Sequence, residues 1–175
     1  DPSDGIRALQ KALGTSEAIR CVEAFDIAHL LGGETVGAKV SFVDGRPHKE
    51  GYRRYKIKTA KNDDYMSMRE VISRRFRNAG NGLEMYPDLI VIDGGKGQLS
   101  AAMEAFGQLE KQPSLVISLA KKEELIYTVG DCQPIKLGRN NEGLKLVQAI
   151  RDEAHRFAQH YHHYLRNKKT FGDAK

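Results

Sequence analysis

Apolar positions in this 175-residue chain fall into two rhythms that take turns along its length. Ile6, Leu9 and Leu13 recur at helical spacing over 4–13, and Tyr65, Met68, Ile72 and Phe76 form one seam over 62–77. Residues 99–109 make a third helical run. The longest seam is Leu144, Val147, Ile150, Ala154, Phe157 or Ala158, Tyr161 and Leu165, which predicts a helix from about 142 to about 168. Apolar residues returning every three to four positions give a helix one buried stripe. The intervening segments are short and apolar: 19–27, 36–43, 51–57, 89–92, 115–119, 125–129 and 134–137 read as strands. Gly14-Thr15-Ser16 stops the first helix, Gly32-Gly33 turns the first strand, and Asp44-Gly45 and Gly130-Asp131 are hairpin signals.

The predicted order is a lead-in helix, three meander strands, helix, strand, helix, strand, hairpin and long helix. Antiparallel strands followed by alternating helix and strand imply an α/β fold, a mixed sheet covered by helices. The domain reading is a lead-in helix and linker over 1–17, one catalytic-sized domain over 18–170 and a tail over 171–175. Four apolar residues, Leu89 to Ile92, are too few for a buried helix and suit a strand covered on both faces. That strand ends at Asp93, followed by Gly94, Gly95, Lys96 and Gly97, and the carboxyl end of a strand is where α/β sheets gather ligands. If the first strand lies parallel beside this one, Asp26 and Asp93 meet on one sheet edge, and His155, beside the seam of the last helix, reaches the same edge.

The glycines around Lys96 match neither common nucleotide loop. In Gly95-Lys96-Gly97-Gln98-Leu99-Ser100 a serine replaces the third glycine of the dinucleotide fingerprint, and no Gly-x-x-x-x-Gly-Lys-Ser/Thr occurs. An acid at a strand end with a lysine three residues on suits a metal ion and a phosphate held side by side. An aspartate capping the next helix is the structural alternative for Asp93, and a carboxylate favoured by the helix dipole is the alternative for Asp64.

Composition changes this picture only at its margins. The chain is 40% hydrophobic, enough for one core without staples, and lacks a membrane-length apolar run or a signal-peptide pattern. Cys21 and Cys132 are isolated, which suggests neither zinc nor a disulfide framework and fits a soluble protein of a reducing, cytoplasmic compartment. A start at Asp1 suggests a piece of a longer protein. Charge matters more: 28 Lys and Arg face 23 Asp and Glu, with clusters at Arg53, Arg54, Lys56, Lys58 and Lys61, at Arg69, Arg74, Arg75 and Arg77, and at Arg166, Lys168 and Lys169. A polyanion is the natural partner, a solvated basic surface the bland alternative. Arg53 and Arg54 are strand neighbours on opposite faces, so one of them at most faces a ligand.

Five stretches, Phe25-Asp26-Ile27-Ala28-His29, Tyr52-Arg53-Arg54-Tyr55, Asp63-Asp64-Tyr65-x-x-Met68-Arg69, Asp93-Gly-Gly-Lys-Gly-Gln98 and Arg151-Asp-Glu-Ala-His155-Arg-Phe157, closely resemble the UvrC family of bacterial nucleotide excision repair. The resemblance covers nearly the whole chain and reaches that family's C-terminal endonuclease domain, which has a ribonuclease H-like fold. It implies a metal-dependent endonuclease incising damaged double-stranded DNA on the 5′ side of a lesion, working with UvrB and, upstream, UvrA through the full-length protein. It places catalytic roles on Asp26, Asp93 and His155, with a further implicated aspartate at Asp64. Ala28 departs from the family's usual serine, which touches local hydrogen bonding and no catalytic position.

The implied chemistry suits these residue types. Asp26 and Asp93 are hard oxygen ligands for Mg²⁺. A histidine in third place makes one firmly held ion, with good tolerance for Mn²⁺, the expectation. Lys96 reads as a phosphate contact, and His29 and His48 as structural or phosphate-adjacent, while His160, His162 and His163 read as surface histidines. A binding module of the same fold that recognises DNA or a repair partner without cutting is the competing class; the intact Asp26, Asp93 and His155 favour the enzyme.

Overall fold

The computed structural model of the protein describes residues 1–59, 62–80, 85–130 and 133–160. The elements run α1 (Pro2–Leu13), β1 (Cys21–His29), β2 (Thr35–Val43), β3 (Arg46–Pro47), a 3-10 turn (Lys49–Gly51), β4 (Arg53–Lys56), α2 (Asp64–Phe76), β5 (Leu89–Asp93), α3 (Lys96–Phe106), β6 (Val116–Ala120), β7 (Leu125–Thr128), β8 (Ile135–Lys136) and α4 (Glu142–Gln159). The eight strands form one sheet in the order β3-β2-β1-β5-β6-β7-β8, with β4 also paired to β2. β1, β5 and β6 are parallel, and the other pairings are antiparallel. This is the expected mixed α/β sheet flanked by helices, consistent with a ribonuclease H-like fold.

Alternation along the parallel strands sorts the core into two layers, because successive side chains leave a sheet on opposite faces. Val22, Ala24, Leu89 and Val91 pack with Leu144, Val147, Ile150 and Phe157 of α4 and with Leu9 of α1. Phe25, Ile90 and Ile92 pack with Met68, Val71, Ile72 and Phe76 of α2 and with Leu99, Ala102 and Phe106 of α3. The four-residue run Leu89 to Ile92 is fully buried because it feeds both layers. The lead-in helix α1 lies directly on α4: a Cβ on Gly143 would sit 2.8 Å from the Leu9 nitrogen, so the absence of a side chain there permits the approach.

Several boundaries differ from the sequence-based expectation for local reasons. β1 begins at Cys21 rather than Ile19, because the Ile19 amide donates to Gln10 Oε1 (2.9 Å) and the Arg20 amide to Asp88 Oδ2 (2.9 Å) instead of entering the ladder. The third meander strand, expected over 51–57, is shortened to β4, because a 3-10 turn takes Lys49–Gly51; ahead of that turn lies the short, unforeseen β3, where Pro47 has no amide hydrogen to continue a ladder. Helix α3 starts at Lys96, three residues before the predicted start, since the Gln98 and Leu99 amides both donate to the Gly95 carbonyl (3.1 and 3.2 Å). The described part of α4 ends at Gln159, and Tyr161 and Leu165 of its predicted seam lie outside the described residues, as do Asp131 of the second hairpin turn and Cys132. Cys21 is an exposed free thiol. Among the described residues no helix is long and apolar enough to cross a membrane.

Candidate functional site

The register of β1 on β5 pairs Phe25 with Ile92, so the next residue of each strand, Asp26 and Asp93, falls side by side at the carboxyl edge. Parity then sets their direction. Asp26 follows Val22 and Ala24, and Asp93 follows Leu89 and Val91, so both leave the sheet on the α4 face. His155 of α4 meets them there: its Nδ1 lies 3.1 Å from Asp26 Oδ2, and one ligand atom from each of Asp26, Asp93 and His155 lies within 4.8 Å of the others.

The helix that carries His155 is tied down on both sides of it. Tyr52 donates to Glu153 Oε2 (2.7 Å), and its ring meets Phe157 edge-on with centroids 5.0 Å apart. Arg54 is fully buried, its guanidinium 3.4 Å from the Phe157 ring centroid and donating to the Phe157 carbonyl (2.8 Å). Residues 153 and 157 flank His155, so Tyr52 and Arg54 fix where the imidazole stands. Arg53 points the other way and is half-buried, its guanidinium capping the Glu50 and Tyr52 carbonyls. The expected division between the two arginines therefore appears, and it corrects Arg54 as a DNA-binding candidate: a fully buried guanidinium held by Phe157 cannot reach a polyanion.

Asp26 is 5% exposed, and burial, together with the hydrogen bond and charge of Asp93, pushes its carboxyl up to about 8. The Ile27 amide and the charge of Lys121 oppose that rise without cancelling it. Two strand-end acids this close, one of them buried, are a site short of positive charge. Two carboxylate oxygens and an imidazole nitrogen this close together are a donor set consistent with a divalent metal ion. Asp93 is not the cap of α3. Gly95 holds that position, and the chain reaches it through Gly94, whose φ of 134° only glycine adopts readily and whose missing Cβ leaves room for the Gln98 side chain.

These residues line an open cleft of about 260 Å³ together with Ile27, Asp64, Gly94, Gln98 and Lys121. Asp64 is the first residue of α2, whose cap is Asp63, accepting from the Met66 amide (3.1 Å). Its carboxylate hydrogen-bonds His29 Nε2, while His29 Nδ1 lies 3.1 Å from Thr35 Oγ1. His29 is thus joined to the cleft through Asp64, whereas His48 and His160 do not line it. Lys96, exposed at the first position of α3, stands beside the cleft rather than in its lining. His162, His163, Lys61, Arg166, Lys168 and Lys169 lie outside the described residues.

The basic clusters look different once folded. Arg74 pairs with Glu70 (2.7 Å) and Arg75 with Glu23 (2.8 Å), both largely buried, and Arg69 with the exposed Glu104 (3.1 Å), so three arginines of the second cluster are paired to carboxylates of the chain. The cation that does line the cleft, Lys121, was missed by the sequence reading. The available signal was the one that singled out Asp93, a position at the carboxyl end of a short buried strand.

Fold and site together define a ribonuclease H-like domain with an acid–acid–imidazole cluster at its sheet edge. A family model described as the UvrC RNAse H endonuclease domain matches residues 10–159, and the chain belongs to that family. It is 44% identical to the UvrABC system protein C of Dehalococcoides mccartyi over 98% of this chain and 29% of that protein. The corresponding protein of Methanococcus maripaludis is 45% identical over 94% of this chain and 31% of its own length. That of Dictyoglomus thermophilum is 44% identical over 92% and 27% respectively. The chain spans about three-tenths of the relatives it matches.

Proposed function

We propose that this chain is the divalent-metal-dependent DNA endonuclease of a nucleotide excision repair system, incising a damaged duplex on the 5′ side of the lesion. The observation that carries the reading is the convergence of Asp26, Asp93 and His155 in an open cleft of a domain belonging to the UvrC RNAse H endonuclease family. Asp26 and Asp93 would hold the cation, with His155 as third ligand. A bound divalent ion supplies charge neutralisation at the phosphate and lowers the pKa of an attacking water. The rest is positioning by the chain: Tyr52 and Arg54 hold α4, and the β1–β5 register holds the two acids. In the net step a water oxygen bonds to phosphorus, one ester P–O bond breaks, and the water's proton is transferred so that an alcohol and a phosphate monoester result.

UvrB, and UvrA upstream, are the proposed partners of the full-length protein, damaged double-stranded DNA its substrate and the cytoplasm its compartment. The test is incision of a lesion-containing duplex by the full-length protein with these partners, in Mn²⁺ or Mg²⁺ and in EDTA. Metal-dependent nicking on the 5′ side, lost on Asp93→Asn, supports the reading. Tight DNA binding with no cut by the wild type in any divalent ion would make the domain a binding module instead.

A further inference from the structure

The cleft holds three carboxylates, Asp26, Asp64 and Asp93, and among the described residues that line it Lys121 is the sole Lys or Arg. Even with a divalent ion bound, removing Lys121 leaves a net negative lining against an incoming phosphodiester. Four of the arginines that the sequence offered for this task are committed elsewhere: Arg54 is buried under Phe157, and Arg69, Arg74 and Arg75 are paired with Glu104, Glu70 and Glu23. Lys121 itself is exposed and makes no salt bridge among the described residues.

Its position follows from topology. β6 runs parallel to β5 with Leu119 opposite Asp93, and the Gly94 amide donates to the Leu119 carbonyl (3.1 Å). Lys121 therefore leaves the sheet just past the acidic pair. It opens the four-residue turn that joins Ala120 to Leu125 across the β6–β7 hairpin. That turn is closed by Glu124 in a left-handed conformation (φ 54°), which a glutamate adopts only when something holds it. The holder is Arg151 of α4, 8% exposed, which donates from Nη1 to Glu124 Oε2 (3.0 Å) and from Nε and Nη2 to Asp152 (3.2 and 3.1 Å). Arg151 lies one helical turn before His155, so one helix fixes both the imidazole and the turn that presents the lysine.

Resting on the proposed nuclease reading, we propose that Lys121 is a catalytic residue that contacts the phosphate being cut, and that the Glu124–Arg151 ion pair is the buckle that aims it. The Lys121 ammonium donates to a non-bridging phosphate oxygen and stabilises the charge that grows there in the transition state.

Two measurements test this. Anisotropy of a labelled duplex, with Ca²⁺ as the bound ion, gives the dependence of affinity on KCl concentration. Lys121→Ala lowers that log–log slope by about one unit, the value for one lost phosphate contact, and Lys121→Arg restores it. In the incision assay Lys121→Ala reduces kcat by about 10- to 100-fold, more than it raises KM. Glu124→Gln, which keeps the turn's length and volume, lowers kcat several-fold while the salt slope stays as in the wild type. An unchanged slope, or an unchanged kcat, for Lys121→Ala overturns the contact; an unchanged kcat for Glu124→Gln overturns the buckle. If the slope falls but the wild type never nicks, the nuclease reading fails and the phosphate contact stands.

Discussion

The same pair of side chains occurs twice at the carboxyl edge of this sheet, with the partners exchanged. On the α4 face the strand supplies the carboxylate, Asp26, and the helix the imidazole, His155. On the α2 face the strand supplies the imidazole, His29, and the helix the carboxylate, Asp64. The imidazoles are equally open, 47% and 46% exposed at the side chain, but Asp26 is 7% exposed and Asp64 58%. Burial is what separates them. Water can solvate the ionised form of Asp64, and a neighbouring imidazole is partner enough. Asp26 has lost that water, stands against a second acid, Asp93, and is driven towards its protonated form until a cation arrives. Identical chemistry thus yields a candidate metal ligand on one face and an exposed hydrogen-bonded pair on the other.

The sharpest way to break the comparison is Asp93→Asn, which removes the second acid from the buried pair alone. Incision should fall by at least about 10³-fold, because both a ligand charge and the reason for the cation disappear. DNA binding in Ca²⁺-free buffer should stay near wild type; incision at the wild-type rate would sink the metal assignment. His155→Ala comes next, with an expected loss of about 10²-fold in kcat and retained DNA binding. In the wild type, raising the Mn²⁺ concentration should shift the acid limb of the pH–rate profile to lower pH, since metal and proton compete for the ligand atoms, the Asp26 carboxyl among them. A fixed acid limb would make His155 a proton acceptor rather than a ligand.

The exposed pair should answer more weakly. Asp64→Asn is expected to lower incision by about 10-fold and to leave Mn²⁺ affinity, read by calorimetry, within error of the wild type. A large loss of affinity would move Asp64 into the ligand set and erase the contrast drawn from burial.

The smallest effect is on stability and tests the cause of the contrast. Because the folded-state value of Asp26 is raised, to about 8 from an ordinary 3.8, the stability it contributes is full below that ordinary value and is lost as pH rises towards 8. The limit is about 1.4 kcal/mol per pH unit. Glu70 and Glu153 do not titrate in that window. Burial pushes Glu70 up, but bonds from Thr59, Lys58 and Arg74 outweigh it, and Arg156 holds Glu153 down. Without divalent ions Tm should therefore decline between pH 6 and pH 8, and the gain in Tm from a fixed Mn²⁺ concentration should be larger at pH 8. Equal gains at both pH values, by calorimetric scans, would mean that Asp26 is already ionised without the metal.

Much of this molecule was legible in its residues because the relevant physics is local. The period of apolar positions placed four helices and the strands between them, and the abrupt end of Leu89–Asp93 in glycines marked a ligand-bearing strand end. Five motifs were enough to assign the family. The side-chain period of two also foretold that Arg53 and Arg54 would part company, though not which would be buried.

Tertiary structure decided what depends on partners far away in the chain. Arg75 meets Glu23 across 52 residues and Arg54 meets Phe157 across 103, so charges that looked like a polyanion surface became internal fastenings. Whether Asp26 or Asp64 would be the buried carboxylate turned on which face of β1 met which helix, and Lys121 entered the cleft only because β6 lies parallel beside β5. Helix and strand periods follow from the backbone of each segment alone. The register between strands, and the loss of water around one carboxylate and not another, exist only once the layers have packed.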